Sequence, residues 1–231
     1  MSALSDWYSS LADFTFPTMF VRLRDEEKAL LINGEDKGGI ADSLKKRIDR
    51  TISALPGTCF IGADTVSPDD APAFPRKKSH SNGKTAISIL QASDKVKAAI
   101  KEGKSERLSV RPYRRMDKTR EFRLFIFQKE LSCMSQRNLE RHFRRLDGRR
   151  EEYWQRAVDF SKEIVPFLDH ENAVVDIYFT SDGNTLIVDI NEWGECDPLL
   201  FRSWDRDWSE KVGLKLMSEP IQMKGDVKVS F

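Results

Sequence analysis

The chain has 231 residues, 39% of them hydrophobic, which is enough to bury the core of one large domain or two packed lobes and sets disorder aside. Its 38 basic and 37 acidic residues nearly cancel, so net charge selects neither nucleic acid nor a membrane as partner. No run of about 18 apolar residues is present to span a bilayer, and the N-terminus, with Asp6 and Asp13 among its aromatics, does not resemble a secretory signal, which makes a cytoplasmic protein the simplest expectation; a monomer is expected as well.

In chain order, Asp6-Trp7-Tyr8 reads as an aromatic anchor, followed by strands around Met19–Leu23 and Ala29–Ile32. From Asp42 a helix is predicted, because Leu44, Ile48, Ile52 and Leu55 recur at helical spacing and Pro56-Gly57 stops it. Cys59-Phe60-Ile61 looks like a buried strand. The stretch Pro75–Gly83, rich in Lys, Ser and Asn, is predicted to be a mobile loop. Ala86–Ile100 has a helical pattern, and Leu108–Tyr113 reads as a strand. Glu121–Phe127 pairs with Leu131–Ser135 as a hairpin across Gln128-Lys129. Two helices should follow, Asn138–Leu146 and Glu151–Leu168, the second burying Trp154, Val158, Ile164 and Phe167 or close neighbours. Strands and helices in irregular order predict an α+β fold. Cys59, Cys133 and Cys196 have no CxxC spacing, and His80, His142 and His170 form no ligand pattern, so disulfides, zinc and a histidine triad lack support.

The most informative segment is a hairpin, Val174–Phe179 followed by Leu186–Asn191. A two-residue turn at Asp182-Gly183, or a four-residue one centred there, pairs positions whose numbers sum to 365 and sets Asp176 against Asp189. Like charges directly opposite on a sheet repel, so a positive group is expected between them. Asn191 lies on the same face as Asp189. Two carboxylates and an amide oxygen suit Mg²⁺ delivered with a nucleotide better than a Ca²⁺ cage or a zinc site. The alternative is a partly solvated hairpin whose acids reach water.

Val188–Glu195 with Asp197, Leu199, Leu200 and Phe201 resembles the signature of the cell division cycle protein 123 family of ATP-grasp proteins. Trp7-Tyr8 with Thr15 and Thr18, Phe60 through Ser67-Pro68-Asp69-Asp70-Ala71, Val110-Arg111, Glu121-Phe122-Arg123 and Ser135-Gln136-Arg137 match further blocks of that family in order. The resemblance implies an ATP-grasp fold, two α+β lobes closing on a nucleotide cleft. An N-terminal lobe would take residues 1–105, with the flexible loop near 75–83, and a C-terminal lobe 106–231 would carry the metal hairpin. Asp176, Asp189 and Asn191 would then hold Mg²⁺ on the ATP phosphates. The strand from Glu106 through Arg107 and Leu108 to Val110 would be the hinge whose backbone meets adenine. Arg111 and Arg123, the catalytic candidates, sit where the family places arginines near phosphates or metal, and guanidinium forks suit that charge. The family's phosphate-facing lysine is replaced by Gly62. Lys84, Lys77 or Lys78 would supply the missing charge, Lys84 being preferred because it leads into a helix.

The resemblance implies an assembly chaperone for translation initiation factor 2, acting through the gamma subunit in a eukaryotic setting. The rival class is an ATP-dependent ligase, carboxylate-amine or RNA-directed, using the same Mg-ATP site. A more compact build than that of eukaryotic members, without their long tail, is expected to weigh against the chaperone. Between Gln136 and Arg150, Arg137, Arg141, Arg144, Arg145, Arg149 and Arg150 outnumber the acids, and on a helix Arg137, Arg141, Arg144 and Arg145 would fall largely on one side, making RNA a further candidate partner, with a solvated face as the alternative. Trp193, Trp204 and Trp208 are expected to pack in a core or lobe interface.

Overall fold

End signals decide the helices in the first third of the chain. The computed structural model describes residues 3–76 and 78–219. It opens with helix α1 (Leu4–Leu11), which buries Leu4, Trp7 and Leu11, and strand β1 (Met19–Arg22). The strand expected at Ala29–Ile32 is helical instead, inside α2 (Asp25–Asn33). Asp25, Glu26 and Glu27 complement the positive end of its macrodipole, Glu27 Oε2 accepts a hydrogen bond from the Arg24 backbone N–H at 2.8 Å, and Gly34 closes it with φ 75°. A short apolar run carries no period strong enough to outweigh such caps. Helix α3 (Ile40–Ser53) turns Leu44, Ile48 and Ile52 inward as the spacing predicts, and β2 (Cys59–Ala63) follows. The single helix expected over Ala86–Ile100 is two, α4 (Gly83–Gln91) and α5 (Asp94–Lys101). Ser93 causes the break: its hydroxyl accepts from the Val96 N–H at 3.1 Å and donates to Asp70, which starts a new capped helix.

Strand β3 (Arg107–Pro112) lies between β1 and β2 and is antiparallel to both. The first lobe therefore runs through Pro112 rather than ending at residue 105, and Leu108 and Val110 belong to its core with Val21, Leu31, Ile48 and Ile61.

The second lobe starts with β4 (Glu121–Phe127) and β5 (Glu130–Gln136). They are joined as predicted across Gln128 and Lys129, both at positive φ, the requirement of a two-residue hairpin turn. Where a helix was expected over Asn138–Leu146 there is only α6 (Arg144–Asp147). The Gln136 side chain donates to the carbonyls of Asn138 and Arg141, satisfying acceptors that a helix would have used. The arginines consequently share no helix face: Arg145 pairs with Asp117, Arg149 with Glu152, and Arg141 lies over the Phe143 ring. Helix α7 (Arg150–Ile164) buries Ile164 as expected, with Tyr153 and Ala157 taking the places of their neighbours Trp154 and Val158, which are partly buried, and Phe160 buried as well; Phe167 beyond the helix is 48% exposed.

Strands β6 (Ala173–Phe179), β7 (Thr185–Glu192) and β8 (Gly213–Lys215) complete a five-stranded sheet in the order β7-β6-β4-β5-β8. One face, with Phe122, Leu124, Val175 and Ile177, packs on α7 and, from the chain start, on Trp7 and Leu11 of α1. The opposite face carries Arg123, Asp176 and, further along, Phe125 in an aromatic cluster with Trp193, Trp204 and Trp208. These tryptophans pack on one another, as expected. No helix among the described residues is long and apolar enough to cross a membrane. Ser93→Ala, which removes the cap between α4 and α5, is expected to lower stability by about 1 kcal/mol in urea denaturation.

Candidate functional site

The two acids of the hairpin face each other as the pairing predicts, by a route the simple register lacks. Thr180 N–H donates to Asn184 O at 2.9 Å, closing a three-residue loop at Ser181-Asp182-Gly183 instead of a two- or four-residue one, so Phe179 pairs with Thr185 and Ile177 with Ile187. A bulge at Val188 then adds one residue to β7, and beyond it Asp176 pairs with Asp189 and Val175 with Ile190. The bulge lets Ile187 and Ile190, three apart, both enter the core while Asp189 and Asn191 share the face of Asp176.

The expected positive charge is present as arginines. Arg123, paired with Asp176 across β4 and β6, donates through Nε and Nη2 to its two carboxylate oxygens at 2.7 and 2.8 Å, and through Nη1 to Asp197 O at 2.6 Å. Arg123 and Asp176 are both buried. Arg137, counted in the sequence reading as part of a basic helix face, reaches the same carboxylate at 3.0 Å. Its place beside the acid was legible only in the Ser135-Gln136-Arg137 block, which gave no contact. Among the described residues no arginine donates to Asp189, whose Oδ1 accepts from the Ile190 N–H at 3.0 Å. Burial, then the neighbouring Asp176 charge, pushes its carboxyl up to about 6, with Arg111 opposing. Asn191 is buried with its Nδ2 unpartnered.

Arg111, on β3, spans the lobes. Its Nε donates to Thr18 Oγ1 and its Nη1 to Val188 O, each at 2.9 Å, while Nη2 is buried without a partner. Burial pulls its pKa down to about 10, so it remains charged at neutral pH.

The donor set fits a hard cation. Asp176 Oδ1 keeps one lone pair beyond the Arg123 bond, Asp189 is an acid whose ionisation is held back by burial and then by a like charge, and Asn191 lies two residues further on the same face. An unpartnered buried donor costs roughly 1–3 kcal/mol, which a phosphate oxygen or a water would offset.

The hinge residues are placed differently from expectation. Leu108 and Val110 are buried inside the middle strand, and the carbonyls of Glu106 and Arg107 already accept from Leu23 and Asp64 N–H groups, so this backbone presents no free edge to adenine. Glu106 Oε1 and Oε2 accept from Lys28 Nζ, and Arg107 Nη1 donates to Ser5 Oγ. At Gly62 a Cβ would stand 3.1 Å from Val66 O, so a lysine there would require the Val66–Pro68 turn to move. Lys84 is exposed at the start of α4; Lys77 lies outside the described residues. Lys78 stacks 5.8 Å from the Phe74 ring centroid, and its charge is felt at Glu121, whose carboxyl burial pushes up. His80 exchanges backbone hydrogen bonds with Cys59 at 2.7 and 2.9 Å, anchoring the end of the stretch expected to be mobile.

The D123 family model matches residues 25–212, most of the chain and all of this site. The chain belongs to the D123 family. It is 25% identical over 227 residues to a putative CDC123-like protein of Acanthamoeba polyphaga mimivirus, covering 89% of this chain and 69% of that protein. It is 29% identical over 93 residues to the translation initiation factor eIF2 assembly protein of Xenopus tropicalis, covering 38% of this chain and 28% of that one. The structure of Cdc123 from Schizosaccharomyces pombe superposes with a TM-score of 0.76 at 19% identity, covering 88% of each chain. The α+β fold implied by the resemblance is thus the fold present, and the D123 match includes Arg111, Arg123, Arg137, Asp176, Asp189 and Asn191.

Two outcomes follow for this D123 site. Arg123→Met leaves Asp176 buried with Arg137 alone and is expected to cost about 3–5 kcal/mol in urea denaturation, part of which the double variant Arg123→Met/Asp176→Asn regains. For Asp189 the folded-state pKa is raised, so its ionisation destabilises the fold, with the effect absent near pH 4 and complete above about 6. Asp189→Asn should therefore be more stable than wild type by about 1–3 kcal/mol at pH 7, and the gap should close as pH falls toward 4 in thermal melts.

Proposed function

We propose that this chain binds Mg-ATP between its lobes and uses the bound state to support assembly of a translation initiation factor 2 complex. The observation that carries the nucleotide reading is the arrangement of Asp176, Asp189 and Asn191 on one sheet face, with Asp189 short of a positive partner. Support for the partner comes from the D123 match and from the name of the Xenopus relative, with the gamma subunit as the contact that the resemblance implies. Cytoplasmic localisation belongs to the same reading.

In this proposal Asp176, Asp189 and Asn191 hold Mg²⁺, which when bound neutralises phosphate charge. Arg123 fixes Asp176 in orientation by its two-pronged contact, a task a lysine's single ammonium performs less well. Arg137, 44% exposed over the same carboxylate, is the cation best placed to exchange Asp176 for a phosphate oxygen. Lys78 and Lys84 are the cations of the first lobe available in place of a lysine at position 62. A chaperone needs the bound state alone, whereas a ligase must turn the nucleotide over.

Calorimetric titration tests the nucleotide reading. Wild type should bind Mg-ATP, and Asp189→Ala should weaken it by about tenfold or more, the loss of one charge-assisted ligand. Equal affinities would remove the hairpin from the site. Release of ADP or AMP on addition of an amine or RNA acceptor would move the reading to the ligase.

A further inference from the structure

Strand β7 is the outermost strand of its sheet, and such an edge leaves a row of backbone groups without a ladder partner. Around the bulge those groups are taken up by the segment that leads into β1, where Thr15 bridges Ile187 in parallel, and by Arg111 of the first lobe. Thr15 Oγ1 donates to Ile187 O at 2.7 Å, and Arg111 Nη1 donates to Val188 O at 2.9 Å. Arg111 is itself aimed by Thr18 Oγ1.

The position of this bulge decides which residues face the site. Near the turn, paired residues follow the register of Ile177 with Ile187. Continued without the extra residue, that register would set Val188 against Asp176 and turn Asp189 toward the core that holds Val175 and Ile177. A one-residue slip in a strand moves every side chain to the opposite face. We infer that Arg111, with Thr15, is a positioning residue that fixes the β7 bulge at Val188 from across the lobe boundary and thereby turns Asp189 and Asn191 onto the face of Asp176. In this role Arg111 acts through the β7 backbone, by its bond to Val188 O. Because its anchor is in one lobe and its target in the other, separation of the lobes would release the bulge and dismantle the acid pair together.

The functional consequence rests on the Mg-ATP reading; the register itself does not. Amide hydrogen exchange on the ligand-free protein reads the latch directly. In Arg111→Met, amides of Ile187 to Ile190 should exchange about tenfold faster or more, the loss of one hydrogen bond from a charged donor, while amides of β4 next to β5 keep their rates. Thr15→Val should shift the same amides in the same direction, and it carries the test if Arg111→Met does not fold. ATP titrations in Mg²⁺ and in EDTA read the consequence. Arg111→Met should bring the ratio of the two affinities close to one, with metal-free ATP binding within about twofold of wild type. Unchanged exchange in both variants overturns the latch. Equal loss of affinity with and without Mg²⁺ also overturns it, since that is the mark of a direct phosphate contact. If wild type binds no Mg-ATP, the proposed function fails, while the exchange result still decides the register.

Discussion

The structure depends on a carboxylate pair that repels itself inside a sheet. Asp176 and Asp189 are opposed on adjacent strands, and a cross-strand pair of like charge works against folding. The two acids are treated differently. Asp176 is neutralised by Arg123 and Arg137, one buried and one half-open to solvent. Asp189 has no such contact and is left reluctant to ionise. An apolar pair at these positions would fold at less cost, so stability is given up where the two acids meet.

The same economy explains the arginine on the other lobe. Burying a guanidinium carries a desolvation penalty, which for Arg111 is visible in its lowered pKa. What offsets it is a set of contacts no apolar side chain could make: a hydroxyl of the 15–18 segment, a carbonyl of the bulged strand, and the nearby charge of Asp189. The lobes therefore meet through polar contacts at the site as well as through α1, which is tied to Asp64 in the first lobe and buries Trp7 in the core of the second.

Around this polar patch the sheet is held rigid by aromatic packing. Phe125 stacks 4.9 Å from Trp208, and Trp193 contacts both Trp204 and Trp208 at about 5 Å. Indole nitrogens of Trp204 and Trp208 donate to the carbonyls of Cys196 and Trp204, so these rings are satisfied as well as buried. Val174, Asp176 and Phe125, Arg123 occupy alternate positions on their strands, which places the acid site and the aromatic cluster side by side on one face.

The sequence by itself determined the class of the fold, the hairpin, the Gln128-Lys129 turn and the inward face of α3, because each follows from local periodicity or turn chemistry; the opposition of Asp176 and Asp189 was reached from a two- or four-residue turn, whereas the loop has three residues and the bulge restores the pairing. The strand assigned to Ala29–Ile32, the single helix over Ala86–Ile100 and the arginine-lined helix after Asn138 were misread, since caps and side-chain bonds to the backbone overrode apolar spacing at Glu27, Ser93 and Gln136. At the site, the spacing of Asp189 and Asn191 was readable from alternation, and Arg123 from its turn away from Phe122 and Leu124. Tertiary structure alone decided that Arg123 and Arg137 meet on Asp176, that β3 is a middle strand with no free edge, and that a bulge at Val188 delivers the acid pair. These depend on contacts between residues 53, 39 and 77 positions apart in the chain. No local pattern encodes which distant donor will find a given carbonyl, because that choice is made by packing the two lobes together.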